Sequence, residues 1–466
     1  MQEKIGHFVS KIEIETQPQT APAPGHVPAV GDSQNGFDPS QLPPDIERID
    51  LSDPEYREHA FERYEEMRAK CPVSRAIITS GDERDGNRGF FNRPLWLVTD
   101  YEVGSRALLD RAVTVDMTSV LTPEQLAQMP ETPEAFQPLR RNILTVDPPE
   151  HTRLRKLVQP SFTASAIEKL RPRIQQIVDD LLDAAEAVAA ERGESAPDRQ
   201  TELISQFSYP LPITVICDML GIPPEDREQT RRWSEDLLSA QSPERMEEIG
   251  RNIEEFIAYL RDLFIQKRET SGDDLISQLL QVEVDGDRLT EDEVLAMVFI
   301  LFVAGHITTV NLIANGVFAL LTHPDQAAQL RADPKLASNA VEEILRYYGP
   351  AETTTPRFAR EEVELGGQEI AKGDPLLVVL AAADRDPARF VDPQAFEIMR
   401  EDANRHIAFG KGVHACLGAP LARLEGQIAI ETLFRRYPDL RLAVPESEIT
   451  WAPSFLRSLT RLPLLF

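Results

Sequence analysis

Cysteine is scarce in this chain: Cys71, Cys217 and Cys416 are the only three in 466 residues. With no CxxC spacing among them, they exclude a disulfide framework and fit reduced, cytosolic thiols. Positive charge is also in deficit, with 49 Lys and Arg against 77 Asp and Glu and a net charge of −28. That balance excludes broad affinity for nucleic acid or for anionic membrane surfaces, because phosphates repel the bulk of the molecule. The N-terminal stretch MQEKIGHFVSKIEIE lacks the apolar centre of a signal peptide or anchor, so a cytoplasmic location is expected. Hydrophobic residues make up 42%, an ordinary share that supports a sizeable core.

The first 45 residues lack what a core requires. Seven prolines fall between Thr16 and Pro44 among Gln, Ala, Gly and Ser. Such a composition cannot bury enough apolar surface to offset ordering entropy, so residues 1–45 are expected to form a disordered extension. There is no internal repeat. From Ile46 onward, apolar residues recur at three- and four-residue spacing, as in ASAIEKLRPRIQQIVDDLLDAAEAVAAERG and DQAAQLRADPKLASNAVEEILRYYG. Short β-like runs, LWLVT, VELGGQEI and PLLVVLA, lie between them. The pattern predicts a mainly α fold with small β-sheets (α+β).

The 28 residues from Val294 to Leu321 carry no formal charge and are long enough to span a bilayer. Three features favour a helix through a soluble core instead. Thr290 and Glu293 form a capping-box signature ahead of the run. His306, Thr308, Thr309, Asn311 and Asn315 interrupt it, and acidic segments flank it on both sides.

Cys416 stands apart from the other two cysteines, which read as small buried hydrophobes. Gly410, Gly412 and Gly418 surround it, residues that allow positive φ or close approach of the backbone to a flat, bulky group. The following LGAPLARLEGQIAIETLFRRY reads as a helix with Pro420 in its first turn. Cys416 therefore sits at a helix N-terminus, where free N–H groups and the dipole favour a thiolate. A nucleophile would want a histidine base, and His414 and His406 are near, but nothing else suggests a cysteine hydrolase. Zinc would want more ligands. A single thiolate suits haem iron, where the porphyrin supplies four donors.

The string Phe409-x-x-Gly412-x-x-x-Cys416-x-Gly418 resembles the haem-binding signature of the cytochrome P450 family, and Ala408 to Glu425 is similar to its soluble bacterial members. The resemblance extends from about Asp45 to the C-terminus and implies one domain over 46–466. Glu343-Ile-Leu-Arg346 matches the family's ExxR. The segment DRDPARFVDPQAFEIMR ends in Arg400, which the resemblance adds to that pair as a structural triad. AGHITT resembles the oxygen-binding motif: Gly305 would let the helix pass close over the iron, and Thr308 would orient dioxygen and protons. The acid that commonly precedes this threonine is here Ile307. His306 points about 100° away around the helix and is not a substitute.

His151, Arg155, Arg357 and His414 match residues that hold haem propionates, with Ala304 also against the cofactor. Val303, Thr353, Thr354 and Phe455 match pocket positions. The resemblance implies haem b with Cys416 as axial ligand, and monooxygenation of a small hydrophobic substrate. It also implies electrons reaching a monomeric, membrane-free enzyme from NAD(P)H through a separate ferredoxin and its reductase. Arg153, Arg155, Lys156, Arg405, Lys411 and Arg423 are candidates for a basic dock for an acidic ferredoxin. Ile307 motivates two rivals, a peroxide-driven peroxygenase and a haem-thiolate isomerase. A haem-binding sensor without turnover is a third.

Overall fold

The computed structural model describes residues 46–79, 94–127, 134–238, 246–284 and 286–466; the expected extension 1–45 lies outside them. Helices dominate, as the spacing predicts. The long apolar run becomes one helix, Glu291–Thr322, and its capping box forms: the Glu293 amide donates to Thr290 Oγ1 (3.2 Å) and the Thr290 amide to Glu293 Oε2 (2.8 Å). The helix is apolar enough to cross a membrane, yet 61% of its most apolar stretch is buried within the protein. It packs on Pro210–Leu220, Ala337–Tyr348 and Ala419–Arg436, inside the largest hydrophobic cluster. Its polar interruptions find partners there. Asn311 Nδ2 donates to Ser458 Oγ (2.7 Å), and Asn315 Nδ2 to the carbonyls of Tyr348 and Arg457 (3.1 and 2.8 Å).

Against this helical body lies a six-stranded sheet in the order Glu47–Asp50, Val73–Thr79, Pro94–Val98, Pro375–Val378, Arg357–Ala359, Val113–Thr114. Pro94–Val98 is buried throughout, and runs parallel to Pro375–Val378 with Trp96 opposite Leu376. A three-stranded sheet, Arg441–Leu442, Pro463–Leu465 and Gln200–Glu202, and the hairpin Val363–Leu365 with Gln368–Ile370 complete the β structure.

Some boundaries differ from the sequence pattern. The run Ala164 to Gly193 divides into Ala164–Glu168 and Arg171–Glu191 around Leu170, because Pro172 fits a first turn and not a helix interior. PLLVVLA stops being strand at Val378 and turns into the short helix Leu380–Ala383. Val73–Thr79 is a strand that the sequence reading missed, because its apolar residues bunch at one end and do not alternate.

Candidate active site

A cavity of about 280 Å³ lies between the central helix and the loop of Cys416. Ala304, Gly305, Thr308 and Thr309 form one wall. Phe409, Gly410, Ala415, Cys416 and Gly418 form the facing one. His151, Arg155, Arg357 and His414 close one side, and Thr353, Thr354 and Thr355 belong to another. The remaining surface is largely apolar and includes Ile143, Leu144, Phe162, Ile216, Leu345 and Leu380.

The cysteine loop is shaped by glycine. Gly410 and Gly412 have φ of 69° and 75°, and a Cβ on Gly412 would lie 2.7 Å from the Leu108 carbonyl oxygen. Gly418 has an ordinary φ of −81°, lines the cavity and serves as N-cap of Ala419–Arg436. The Cys416 amide donates to the Phe409 carbonyl (2.8 Å), closing the loop. The sulfur is exposed to the cavity but enclosed by protein elsewhere. Burial pushes the thiol pKa up, outweighing the amide hydrogen bonds of Gly418 and Ala419 and the charges of Arg155 and Arg423. Those amides and charges still favour the thiolate, and a bonded cation would add to them, since coordination deprotonates a thiol outright.

Around the rim, two buried ring nitrogens have no hydrogen-bond partner. The rings of His151 and His414 lie 4.2 Å apart, and His151 Nε2 and His414 Nδ1 are both buried and unbonded. Burial, then the neighbouring His414 charge, holds the His151 pKa down at about 4. His414 Nε2 meets Asp147 Oδ1 at 2.9 Å. Asp147 is kept well below the usual carboxylate range by hydrogen bonds from His414, Thr114 and Arg360, which overcome its burial. Arg155 Nη1 donates to the carbonyls of Val413 (3.1 Å) and Ala415 (2.7 Å), tying Glu150–Val158 to the cysteine loop. Burial pulls the Arg357 pKa down to about 10. Orphaned buried nitrogens cost about 1–3 kcal/mol each. Two of them beside two guanidinia fit the carboxylates of a bound group.

On the facing wall, Thr308 Oγ1 donates to the Ala304 carbonyl one turn back (3.0 Å), so the hydroxyl oxygen keeps lone pairs to accept with. His306 is fully buried away from the cavity. Its Nδ1 meets the Phe302 carbonyl at 2.6 Å and must be the protonated nitrogen, leaving Nε2 to accept from Ser234 Oγ. It is a core histidine, as its place on the helix implies. Ile307 is buried, and among the described residues lining the cavity there is no carboxylate.

The predicted triad forms. Arg346 binds both oxygens of Glu343, and Arg400 Nε reaches Glu343 Oε1 at 3.2 Å, all three side chains being buried. Arg346 also donates to the carbonyls of Asp384, Pro393 and Ala395, and Arg400 to those of Val391, Asp392 and Ala395.

Three expectations fail. Val303 does not line the cavity: it is one step of about 100° round the helix from Ala304 and packs into the main core. Phe455 also misses the cavity and packs against the cluster holding Tyr56, Tyr64 and Leu377. Gly412 serves the loop's close approach to Leu108 and does not touch the cavity. The proposed basic dock is partly neutralised. Arg153 pairs with Asp287 and Glu293, Arg423 with Glu342, and Lys411 donates to Ser105 Oγ (2.9 Å). Asp147 and the apolar lining were missed, the latter because such residues carry no chemical signature.

A helical body with a lone cysteine facing an enclosed, histidine- and arginine-rimmed cavity defines a protein built around a buried cofactor. The cytochrome P450 family model matches residues 116–449. The monooxygenase PikC of Streptomyces venezuelae is 45% identical over 406 residues, 87% of this chain and 90% of the relative. The 6-deoxyerythronolide B hydroxylase of Saccharopolyspora erythraea is 40% identical over 89% and 98%. Among solved structures, the polyketide synthase cytochrome P450 PksS of Bacillus subtilis superposes with a TM-score of 0.79 at 35% identity, covering 90% of this chain and 99% of that one. Myxobacterial CYP267B1 in complex with myristic acid gives 0.78 at 39%, covering 89% and 98%. The chain belongs to the cytochrome P450 family, whose cofactor is haem, and is a P450 monooxygenase.

Proposed function

We propose that residues 46–466 form one catalytic domain that inserts one oxygen atom from O2 into a bulky, mostly apolar small molecule. The observation that carries this reading is the juxtaposition of Cys416 and Thr308 on facing walls of one cavity. Relatives named for hydroxylating 6-deoxyerythronolide B, vitamin D(3) and mycinamicin IV support a substrate of that kind. So do the apolar lining and its three-threonine edge.

When bound, haem b supplies one-electron chemistry and oxygen activation at its iron. The chain's residues do the rest. Cys416 would hold the iron through its sulfur, which the amides of Gly418 and Ala419 steady. His151, Arg155, Arg357 and His414 would take the propionates, while Asp147 orients His414. The Thr308 hydroxyl, anchored on Ala304, accepts and positions a proton above the site. The apolar walls exclude water from the reacting atoms. Glu343, Arg346 and Arg400 hold the framework beneath the cysteine loop. Electrons derive from NAD(P)H in the cytoplasm and arrive through a ferredoxin and its reductase. The test is Cys416→Ala: the natural holoenzyme, reduced with dithionite and treated with carbon monoxide, shows the red-shifted Soret band of thiolate ligation, and the variant does not. A natural protein without that band overturns the reading.

Ile307 favours a second reading. With no carboxylate among the described residues of the cavity wall, hydrogen peroxide, which brings its own protons, is an alternative oxidant. Turnover with peroxide and none with dioxygen plus a reductase system selects it.

A further inference from the structure

Behind the threonine edge of the cavity lies a charged cluster that the chemistry above does not use. Ala351 and Thr353 line the cavity, and Glu352 between them turns the other way, with 2% of its surface exposed. Arg57 grips it with two hydrogen bonds of 2.9 Å, Nη1 to Oε2 and Nη2 to Oε1. Arg457 Nη1 donates to Glu352 Oε1 (3.3 Å) and to the Arg57 carbonyl (3.0 Å), and Tyr64 Oη donates to Oε2 (3.2 Å). Both guanidinia are buried, and Arg457 stacks 3.7 Å from the Trp451 ring.

One carboxylate thus joins three remote parts of the chain: the N-terminal helices Pro54–Glu58 and Ala60–Lys70, the cavity wall, and the C-terminal loop. The wall has little regular structure of its own. Its other ties include the Glu352 amide to the Phe455 carbonyl (3.2 Å), the Ala381 amide to the Glu352 carbonyl (3.1 Å), the Arg457 amide to the Pro350 carbonyl (2.9 Å), Thr354 to Val378, a bridge from Ala351 to Leu456, and Arg357 Nη1 to Thr355. A buried ion cluster is weak evidence for stability, because desolvation offsets the attraction. Its directional, bidentate geometry fixes position instead.

We propose that Glu352, clamped by Arg57 and Arg457, is a positioning residue that sets where the wall Pro350–Thr355 stands, and so which ligand shapes the cavity accepts. This rests on the cavity being the haem and substrate site. The variants are Glu352→Gln, which removes the carboxylate, Arg57→Lys, which keeps the charge but loses the bidentate fork, and Tyr64→Phe. The probes are two azoles titrated into holoenzyme by their Soret shifts: compact 4-phenylimidazole and elongated ketoconazole. In Glu352→Gln and Arg57→Lys, ketoconazole affinity changes by roughly tenfold or more, in the range that ångström-scale misplacement produces. 4-Phenylimidazole affinity stays within about twofold, and Tyr64→Phe moves the same ratio less.

Equal changes for both azoles, or none for either, overturn the proposal, since a merely structural cluster would not separate them. If Glu352→Gln fails to take up haem, the azole ratio in Arg57→Lys and Tyr64→Phe decides. The carbon monoxide band of the natural protein, recorded first, tests the haem reading separately. Its presence alongside an unmoved ratio defeats the clamp alone.

Discussion

Glu343 and Arg346 meet through two hydrogen bonds of 2.7 Å, Nε to Oε2 and Nη2 to Oε1, with both side chains shut off from solvent. Because Arg346 and Arg400 also satisfy five carbonyls of the segment 384–395, the pair fixes the chain that leads into the cysteine loop. Removing one member leaves a buried charge uncompensated, at about 3–5 kcal/mol. Glu343→Gln and Arg346→Leu should therefore lower the unfolding free energy of the holoprotein by that amount and release haem earlier in a urea titration. A change below about 1 kcal/mol, the scale of a surface pair, would show that the triad is dispensable.

In the proposed reaction the proton side depends on Thr308, in a wall without carboxylates among the described residues. Thr308→Ala is expected to lower oxygen insertion by roughly 10²-fold, the lower range for a positioned proton donor. Reducing equivalents would then appear as peroxide. Ile307→Glu places an acid beside Thr308 and should raise the share of NAD(P)H recovered in product. Product and peroxide measured together with NAD(P)H consumption check both. Unchanged partition in both variants would contradict the role given to this turn of helix.

His306 gives the fold a pH dependence of known sign. Burial holds its pKa at about 4, against an ordinary value near 6.5. Between those values the unfolded chain binds a proton that the folded one refuses, so stability falls as pH drops from about 6.5 to 4. The loss totals about 3 kcal/mol and is absent above 6.5. Urea midpoints of the natural protein and of His306→Gln, taken at neutral and mildly acid pH, should differ less at acid pH. A constant gap across that range would place the titration elsewhere.

Much of the site was legible because its chemistry is local in sequence. Cys416 with its glycines, the i,i+3 pair Glu343 and Arg346, and His151 with Arg155 on one helix face each announce a geometry within a few residues. Legibility ended where position depends on rotation or on distant chain. Val303 and Ala304 are neighbours in sequence, yet only one faces the cavity. Asp147 precedes His151 by four residues but earns its place by meeting His414, 267 residues on. Glu352 reads as an ordinary acid until Arg57, 295 residues away, closes on it.

The sheet, finally, bears on how the molecule comes into being. Its buried strand Pro94–Val98 has as neighbour Pro375–Val378, and Trp96 Nε1 finds its acceptor in Asp374, 278 residues downstream. At roughly 5–20 residues per second, a ribosome takes on the order of 15–60 s to deliver that partner. For that interval the nascent chain presents an unpaired apolar edge to the cell, and folding yield should hinge on what shelters it until the second half emerges.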